Sequence, residues 1–137
     1  MTLTIVGAEN DTSYAINQSN VTIKINESDK NKLIKYYDDH NIFILPSFTE
    51  GHPMVVLEAL ARRRPIIIFD EIKHVVQNKK GIFVSKRNFL DLFKTLNNIK
   101  KNYSRIQKDL RKNDLPTNKD FISDLINFIE NSNQKKL

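Results

Sequence analysis

The order of signals along the chain predicts an α/β fold: a mostly parallel sheet of about five strands in three layers, with helices on both faces. Two observations carry that prediction. Strand-type and helix-type patterns alternate from Leu3 to Ile129, and two strand-type runs, residues 42–45 and 66–69, are apolar throughout. Strands without a polar side belong to sheets covered on both faces. The length agrees, since 137 residues make one domain, and a chain of that size buries roughly two thirds of its unfolded surface.

Leu3-Thr4-Ile5-Val6 is a short β-type run closed by Gly7, and Val21-Thr22-Ile23-Lys24-Ile25 alternates apolar and polar residues, as a strand does. Ser28 stands as a helix N-cap with Asp29 in the first turn, and Leu33, Ile34, Tyr36 and Tyr37 keep helical spacing to about residue 39. Ile42-Phe43-Ile44-Leu45 is a buried strand stopped by Pro46. A polar loop over residues 47–52 leads to Pro53, suited to the first position of a helix that reaches about residue 63. Pro65 opens the second apolar strand. A short helix is expected over residues 72–77, and Gly81 precedes a fifth strand, Ile82-Phe83-Val84. Asn88 caps a helix from Phe89 to about residue 101, with Leu90, Phe93, Leu96 and Ile99 on one stripe. A separate short helix is expected over residues 103–112. Pro116 breaks it, and Thr117 caps a last helix through Phe121, Leu125, Phe128 and Ile129. The domain is expected to occupy residues 1–130, with residues 131–137 as a frayed tail.

Composition narrows the function classes. Apolar residues make up 39% of the chain and mean hydropathy is −0.47, but the apolar residues gather in runs, which excludes wholesale disorder. No run nears the roughly 20 apolar residues of a membrane span. The absence of cysteine excludes disulfides, thiolate metal sites and cysteine nucleophiles. It fits a cytoplasmic location, as does the lack of a basic stretch before the opening apolar run. The net charge of +6 admits anionic partners. The basic residues are scattered, however, with the pairs Lys100-Lys101, Arg111-Lys112 and Lys135-Lys136 late in the chain and no interleaved aromatic residues. A solvated surface is expected, and no nucleic acid partner.

Ligands of open α/β sheets bind beyond the carboxyl ends of strands, at helix N-termini. The buried strand, polar loop and helix of residues 45–58 therefore form the candidate site. Gly51 permits close approach to the backbone. The amides of Met54 and Val55, at the helix start, lack intrahelical acceptors and suit a phosphate. Glu58 lies among Met54, Val55, Val56, Leu57, Ala59, Leu60 and Ala61, so its helix reads as buried and its carboxylate needs a partner. That partner is either Arg62, one turn on, or the hydroxyls of a ribose. Glu50 is either a cap of the helix start or a ligand group. His40, His52 and His74 lack paired metal-ligand spacing, so no metal is expected; His52 alone sits in the candidate loop. Ser47 lacks the setting of a hydrolase nucleophile. Arg62-Arg63-Arg64 suits a helix C-terminus, with an anionic or lipid contact as the alternative. Asp38-Asp39 is expected to be a solvated helix end, and Tyr36 and Tyr37 to be packing residues.

Glu50 and Glu58 are separated by seven residues within Pro46-Ser47-Phe48-Thr49-Glu50-Gly51-His52-Pro53 and the following Glu58-Ala59. This resembles the signature P-S-x-x-E-G-x-P-x-x-x-x-E-A of retaining glycosyltransferases with two Rossmann-like domains, the GT-B fold of the family 4, group 1 type. The resemblance extends from Leu3 to about the helix after Asn88. It implies the C-terminal, donor-binding half of such a fold, with a hexosyltransferase type of activity. It implies that Glu58 holds ribose hydroxyls of a nucleotide-diphosphate sugar and that the amides of Met54 and Val55 hold its diphosphate. Glu50, with Gly51 and His52, would bind the transferred sugar and stabilise the electron-poor anomeric carbon. Transfer would retain anomeric configuration without metal or other cofactor, in glycan or polysaccharide synthesis, in the cytoplasm or at the inner membrane surface.

The chain departs from that pattern in three ways. The family's N-terminal acceptor-binding domain, and an earlier strand and helix carrying a diphosphate-clamping Arg and Lys, are not present in these residues; no basic residue precedes Lys24. Arg64 stands where the family commonly has Gly, and the loop from residue 70 to 75 lacks the usual Gly pair. A separate acceptor-binding domain is thus an implied partner. The alternative reading is a non-catalytic nucleotide-binding or partner module of a split or decayed enzyme.

Overall fold

A computed structural model gives the architecture and describes residues 2–8, 20–25 and 27–134. The elements are β1 (Leu3–Ala8), β2 (Val21–Ile25), α1 (Lys30–Asp39), β3 (Phe43–Leu45), α2 (Met54–Ala61), β4 (Ile66–Phe69), a 3-10 segment (Asp70–Val76), β5 (Ile82–Ser85), α3 (Phe89–Leu110) and α4 (Asn118–Gln134). All strands pair in parallel, which confirms the α/β class. They do not form one sheet: β1 pairs with β2, and β3, β4 and β5 form a second sheet in that order. The expected single sheet of five is therefore divided. In β2, Thr22 and Lys24 are exposed on alternate positions, and a strand with a solvated side suits an outer ribbon better than the middle of a covered sheet.

The core sits around β4. Ile66, Ile67 and Ile68 are fully buried and Phe69 nearly so. Phe43, Ile44 and Leu45 of β3 pair with Ile66, Ile67 and Ile68, which pair on their other side with Ile82, Phe83 and Val84 of β5. Val56, Ala59 and Leu60 of α2 join this core, as do Ile72 and Val75 of the 3-10 segment and Ile99, Ile106 and Leu110 of α3. In β1, by contrast, Leu3 and Val6 are exposed. Gly7 adopts φ +77° where the β1–β2 register shifts between Val6 and Ala8, a left-handed backbone that glycine tolerates.

Helix ends follow from local chemistry. Asp29, not Ser28, caps α1, its carboxylate accepting from the Asn31 amide at 2.8 Å. Pro53 is the N-cap of α2 rather than its first helical residue, because its ψ of 104° is extended. At the other end of α2 the Arg63 amide donates to Leu60 O and the Arg64 amide to Ala59 O, with Arg63 at φ 55°. This is a Schellman motif with arginine at the position usually given to glycine. Asn88 Oδ1 accepts from the Asp91 amide at the start of α3. The two helices expected over residues 89–101 and 103–112 are one helix. Asn102 stays inside it by donating to Asn98 O at 2.9 Å, and no Gly or Pro interrupts that stretch. Thr117 and Asp120 cap α4 reciprocally: Thr117 N donates to Asp120 Oδ2 and Asp120 N to Thr117 Oγ1, the geometry of a capping box. The helix continues through residues 131–134, the start of the segment expected to fray. The Lys135-Lys136 pair lies outside the described residues. No described helix is long and apolar enough to cross a membrane.

Candidate functional site

Parallel pairing places the carboxyl ends of β3, β4 and β5 on one edge, so Leu45, Phe69 and Ser85 end there together. The loop after β3 runs along that edge into α2. Glu50 is half-buried in it, and both of its polar ends are held. Its Oε1 accepts from Ser47 Oγ at 2.6 Å, and its carbonyl lies 2.7 Å from His74 Nε2 of the 3-10 segment. A carbonyl only accepts, so that ring nitrogen carries the hydrogen. The capping alternative for Glu50 does not hold, because no side chain caps α2. Gly51 and His52 are exposed, and a Cβ on Gly51 would meet nothing within 4 Å. The backbone there is open to a close approach.

At the start of α2 the first amide with a backbone acceptor is that of Val56, to Pro53 O at 3.0 Å. Among the described residues the amides of Met54 and Val55 have no protein acceptor. Met54 is 57% exposed, so this end of the helix opens to solvent. Two donors and the positive end of the helix dipole face outward together, the arrangement that binds anions.

Glu58 corrects the expectation of a buried carboxylate. It is exposed, because α2 turns only Val56, Ala59 and Leu60 into the core. An apolar sequence around a carboxylate did not make its helix buried on every side. Nor does Glu58 pair with Arg62. Its Oε2 accepts from the Tyr37 hydroxyl of α1 at 3.1 Å. Burial, then the Glu58 charge and the hydrogen bond to it, push the Tyr37 hydroxyl well above its ordinary range, so Tyr37 donates across the whole physiological range. The Tyr37 ring also packs against Phe43, 5.4 Å between centroids, which bears out its packing role. Arg62 instead meets Asp38 at 3.2 Å, and Arg64 donates to Asp38 O at 3.1 Å. Asp38 and Asp39 are an exposed helix end, as expected, and Asp38 there also pairs with two arginines. The Nε of Arg64 is buried without a partner among the described residues.

One residue of this edge escaped the sequence reading. Arg87, two residues past β5, donates from Nη1 to Pro46 O at 3.0 Å and from Nη2 to Ser47 O at 2.9 Å. Its Nε donates to Glu71 Oε1 at 3.2 Å. The guanidinium lies 3.8 Å from the Phe48 ring centroid and 4.3 Å from that of Phe69. The hydrogen bond from Arg87, then the backbone amide of Glu71 itself, hold the Glu71 carboxyl below its ordinary range. Residues past the ends of all three strands thus meet at the loop. The signal for Arg87 was topological: the rule that points to the carboxyl end of β3 points equally to that of β5. Thr4 Oγ1, 2.8 Å from His40 Nε2, ties β1 to the end of α1 and lies apart from this cluster in the chain. Among the described residues no three His, Asp or Glu side chains form a metal-binding group.

Comparison with known proteins adds an independent line. The family model described as glycosyl transferases group 1 matches residues 1–102 of the chain. A Haemophilus influenzae protein named as an uncharacterized glycosyltransferase is 39% identical over 59 residues. That stretch covers 41% of this chain and only 17% of the relative's length.

Proposed function

The chain belongs to the group 1 glycosyl transferases, and from that premise we propose that residues 45–61 bind a nucleotide-diphosphate sugar for retaining transfer to an acceptor. The single observation that supports this most is the pair of open amides at the start of α2, set between two carboxylates that each accept from a hydroxyl. In this reading the amides of Met54 and Val55 take the diphosphate. As the bond from sugar to phosphate breaks, negative charge grows on the leaving diphosphate, and donors already aimed at it need no reorganisation.

Glu58 takes ribose hydroxyls. Tyr37 occupies part of Oε2 and orients the group, while Oε1 is left for the ligand; an ionised carboxylate has about four acceptor sites to share. Glu50, oriented by Ser47, accepts from hydroxyls of the sugar and offsets positive charge at the anomeric carbon. Gly51 lets the sugar lie against the backbone, with His52 beside it. The chemistry is placement and electrostatics, with no metal or further cofactor. The acceptor would come from a separate acceptor-binding domain, and the setting would be glycan or polysaccharide synthesis on the cytoplasmic side, in contact with the inner membrane surface.

Titration calorimetry with UDP and GDP tests the reading. The chain should bind one of them, and Glu58→Gln should weaken that binding about tenfold while leaving the circular dichroism spectrum unchanged, as for loss of one charge-assisted hydrogen bond. Unchanged affinity would remove the ribose role. Glu50→Gln should spare the bare diphosphate and weaken the sugar-bearing form; equal loss for both would remove the sugar role.

A further inference from the structure

Arg87 stands between the end of β5 and the start of α3. Its side chain reaches back to the loop after β3, some forty residues earlier in the chain. Both carbonyls it meets, Pro46 O and Ser47 O, belong to the residues that leave β3. Phe48, the next residue, is 69% exposed and lies with its ring against the guanidinium. Phe69, at the end of β4, packs against the same group. Glu71 turns the fork of donors by accepting from Nε and Nη2. A planar fork with fixed donors satisfies two carbonyls, a carboxylate and two aromatic faces together; an ammonium does not.

The consequence runs through Ser47. Its backbone is pinned by Arg87, and its hydroxyl holds Glu50 Oε1. We propose that Arg87 is a positioning residue that, by pinning the backbone of Pro46 and Ser47, sets the carboxylate of Glu50 and so governs recognition of the sugar-bearing part of the donor. The inference rests on the reading of residues 45–61 as the donor site. It adds that discrimination for the sugar is set from the end of β5, whereas the nucleotide grip at Glu58 and the amides of α2 is independent of Arg87.

The test is calorimetry of the whole chain with four probes, UDP, UDP-glucose, GDP and GDP-mannose, for the wild type, Arg87→Ala, Arg87→Lys, Glu50→Gln and the double variant Arg87→Ala/Glu50→Gln. Arg87→Ala should leave affinity for the bound diphosphate within about twofold and reduce affinity for its sugar-bearing form about tenfold, since the Glu50 hydrogen bonds to sugar depend on geometry. The double variant should be no worse than Glu50→Gln alone, because both changes act on one group. Arg87→Lys keeps the charge beside Glu71 and should show the same split at about threefold, since lysine lacks the fork; it also serves if Arg87→Ala does not fold. Equal loss of both ligand forms, no loss of the sugar-bearing form, or additive loss in the double variant would overturn the proposal while leaving the donor site standing. A wild type that binds none of the four probes would overturn the donor site and this proposal with it.

Discussion

The sheet of β3, β4 and β5 and the ribbon of β1 and β2 follow the same parallel pairing rule but meet different surroundings. In the sheet, every side chain of β4 is buried, and α2, α3 and the 3-10 segment close over it. In the ribbon, Leu3 and Val6 are exposed, and Thr4 Oγ1 lies 2.8 Å from Nε2 of His40, the residue that ends α1. Two helices repeat the contrast. α3 buries Ile99, Ile106 and Leu110, but Leu90 and Phe93 of its expected apolar stripe are exposed, as are Phe121, Ile122, Leu125, Ile126 and Phe128 of α4. Strand or helix character is therefore a local property, while stability comes from whether another element covers the apolar side. The candidate site lies on the covered sheet, where a rigid edge can hold a loop in place.

The largest expected contrast is between core truncations. Ile67→Ala, at the fully buried centre of β4, should cost about 4 kcal/mol of unfolding free energy in urea titration. Leu3→Ala, on the exposed ribbon, should cost under about 1 kcal/mol. Similar losses at both would break the comparison.

Two glycines sharpen it, because both have left-handed backbone but different neighbours. A Cβ at Gly81 would collide with Leu110, whereas at Gly7 it would meet nothing within 4 Å. Gly81→Ala should destabilise by about 3 kcal/mol, strain and overpacking together. Gly7→Ala should cost about 1 kcal/mol, strain alone. Thermal unfolding of both variants separates the two contributions.

Tyr37 of α1 belongs to the covered region, packed on Phe43 of β3 and bonded to Glu58 of α2. Its hydroxyl is held neutral more firmly in the folded state than in the unfolded chain, so the stability it contributes is whole below its ordinary value of about 10 and is lost as pH rises above that toward the folded value. Urea midpoints measured from pH 8 to 11 should fall more steeply for the wild type than for Tyr37→Phe; parallel curves would remove the linkage.

The smallest effect concerns the end of α2. Arg63 occupies φ 55°, so Arg63→Gly should raise stability by about 0.5 kcal/mol in urea titration, relief of backbone strain partly offset by the greater freedom of glycine when unfolded. A loss of stability would mean that the Arg63 side chain contributes more than its backbone costs.

The strands and helices were legible because their signals are local: apolar runs for β3 and β4, Asn88 as a cap, Thr117 after Pro116. The segment from Pro46 to Ala59 was legible as a candidate site because two carboxylates, a glycine and a proline stand at distinctive spacing. The partners were not legible. Glu58 has Arg62 at helical spacing, yet it bonds to Tyr37 because α1 lies beside α2, and Asp38 draws Arg62 away. The break between residues 101 and 103 was a change of stripe and not of helix, since polar residues there satisfy their side chains within the helix.

By itself, then, the order of residues determined the α/β class, the parallel strand candidates, the helix caps at Asn88 and Thr117, and the loop with Glu50 and Glu58; these depend on neighbours a few positions apart. Tertiary structure alone decided that the strands divide into two sheets, that α3 is covered at Ile99, Ile106 and Leu110 while its start and the apolar residues of α4 are not, and that Arg87 reaches the loop after β3. Each of those depends on groups brought together across tens of residues, and a side chain's partner in space is chosen by packing and competing charges that no spacing along the chain encodes.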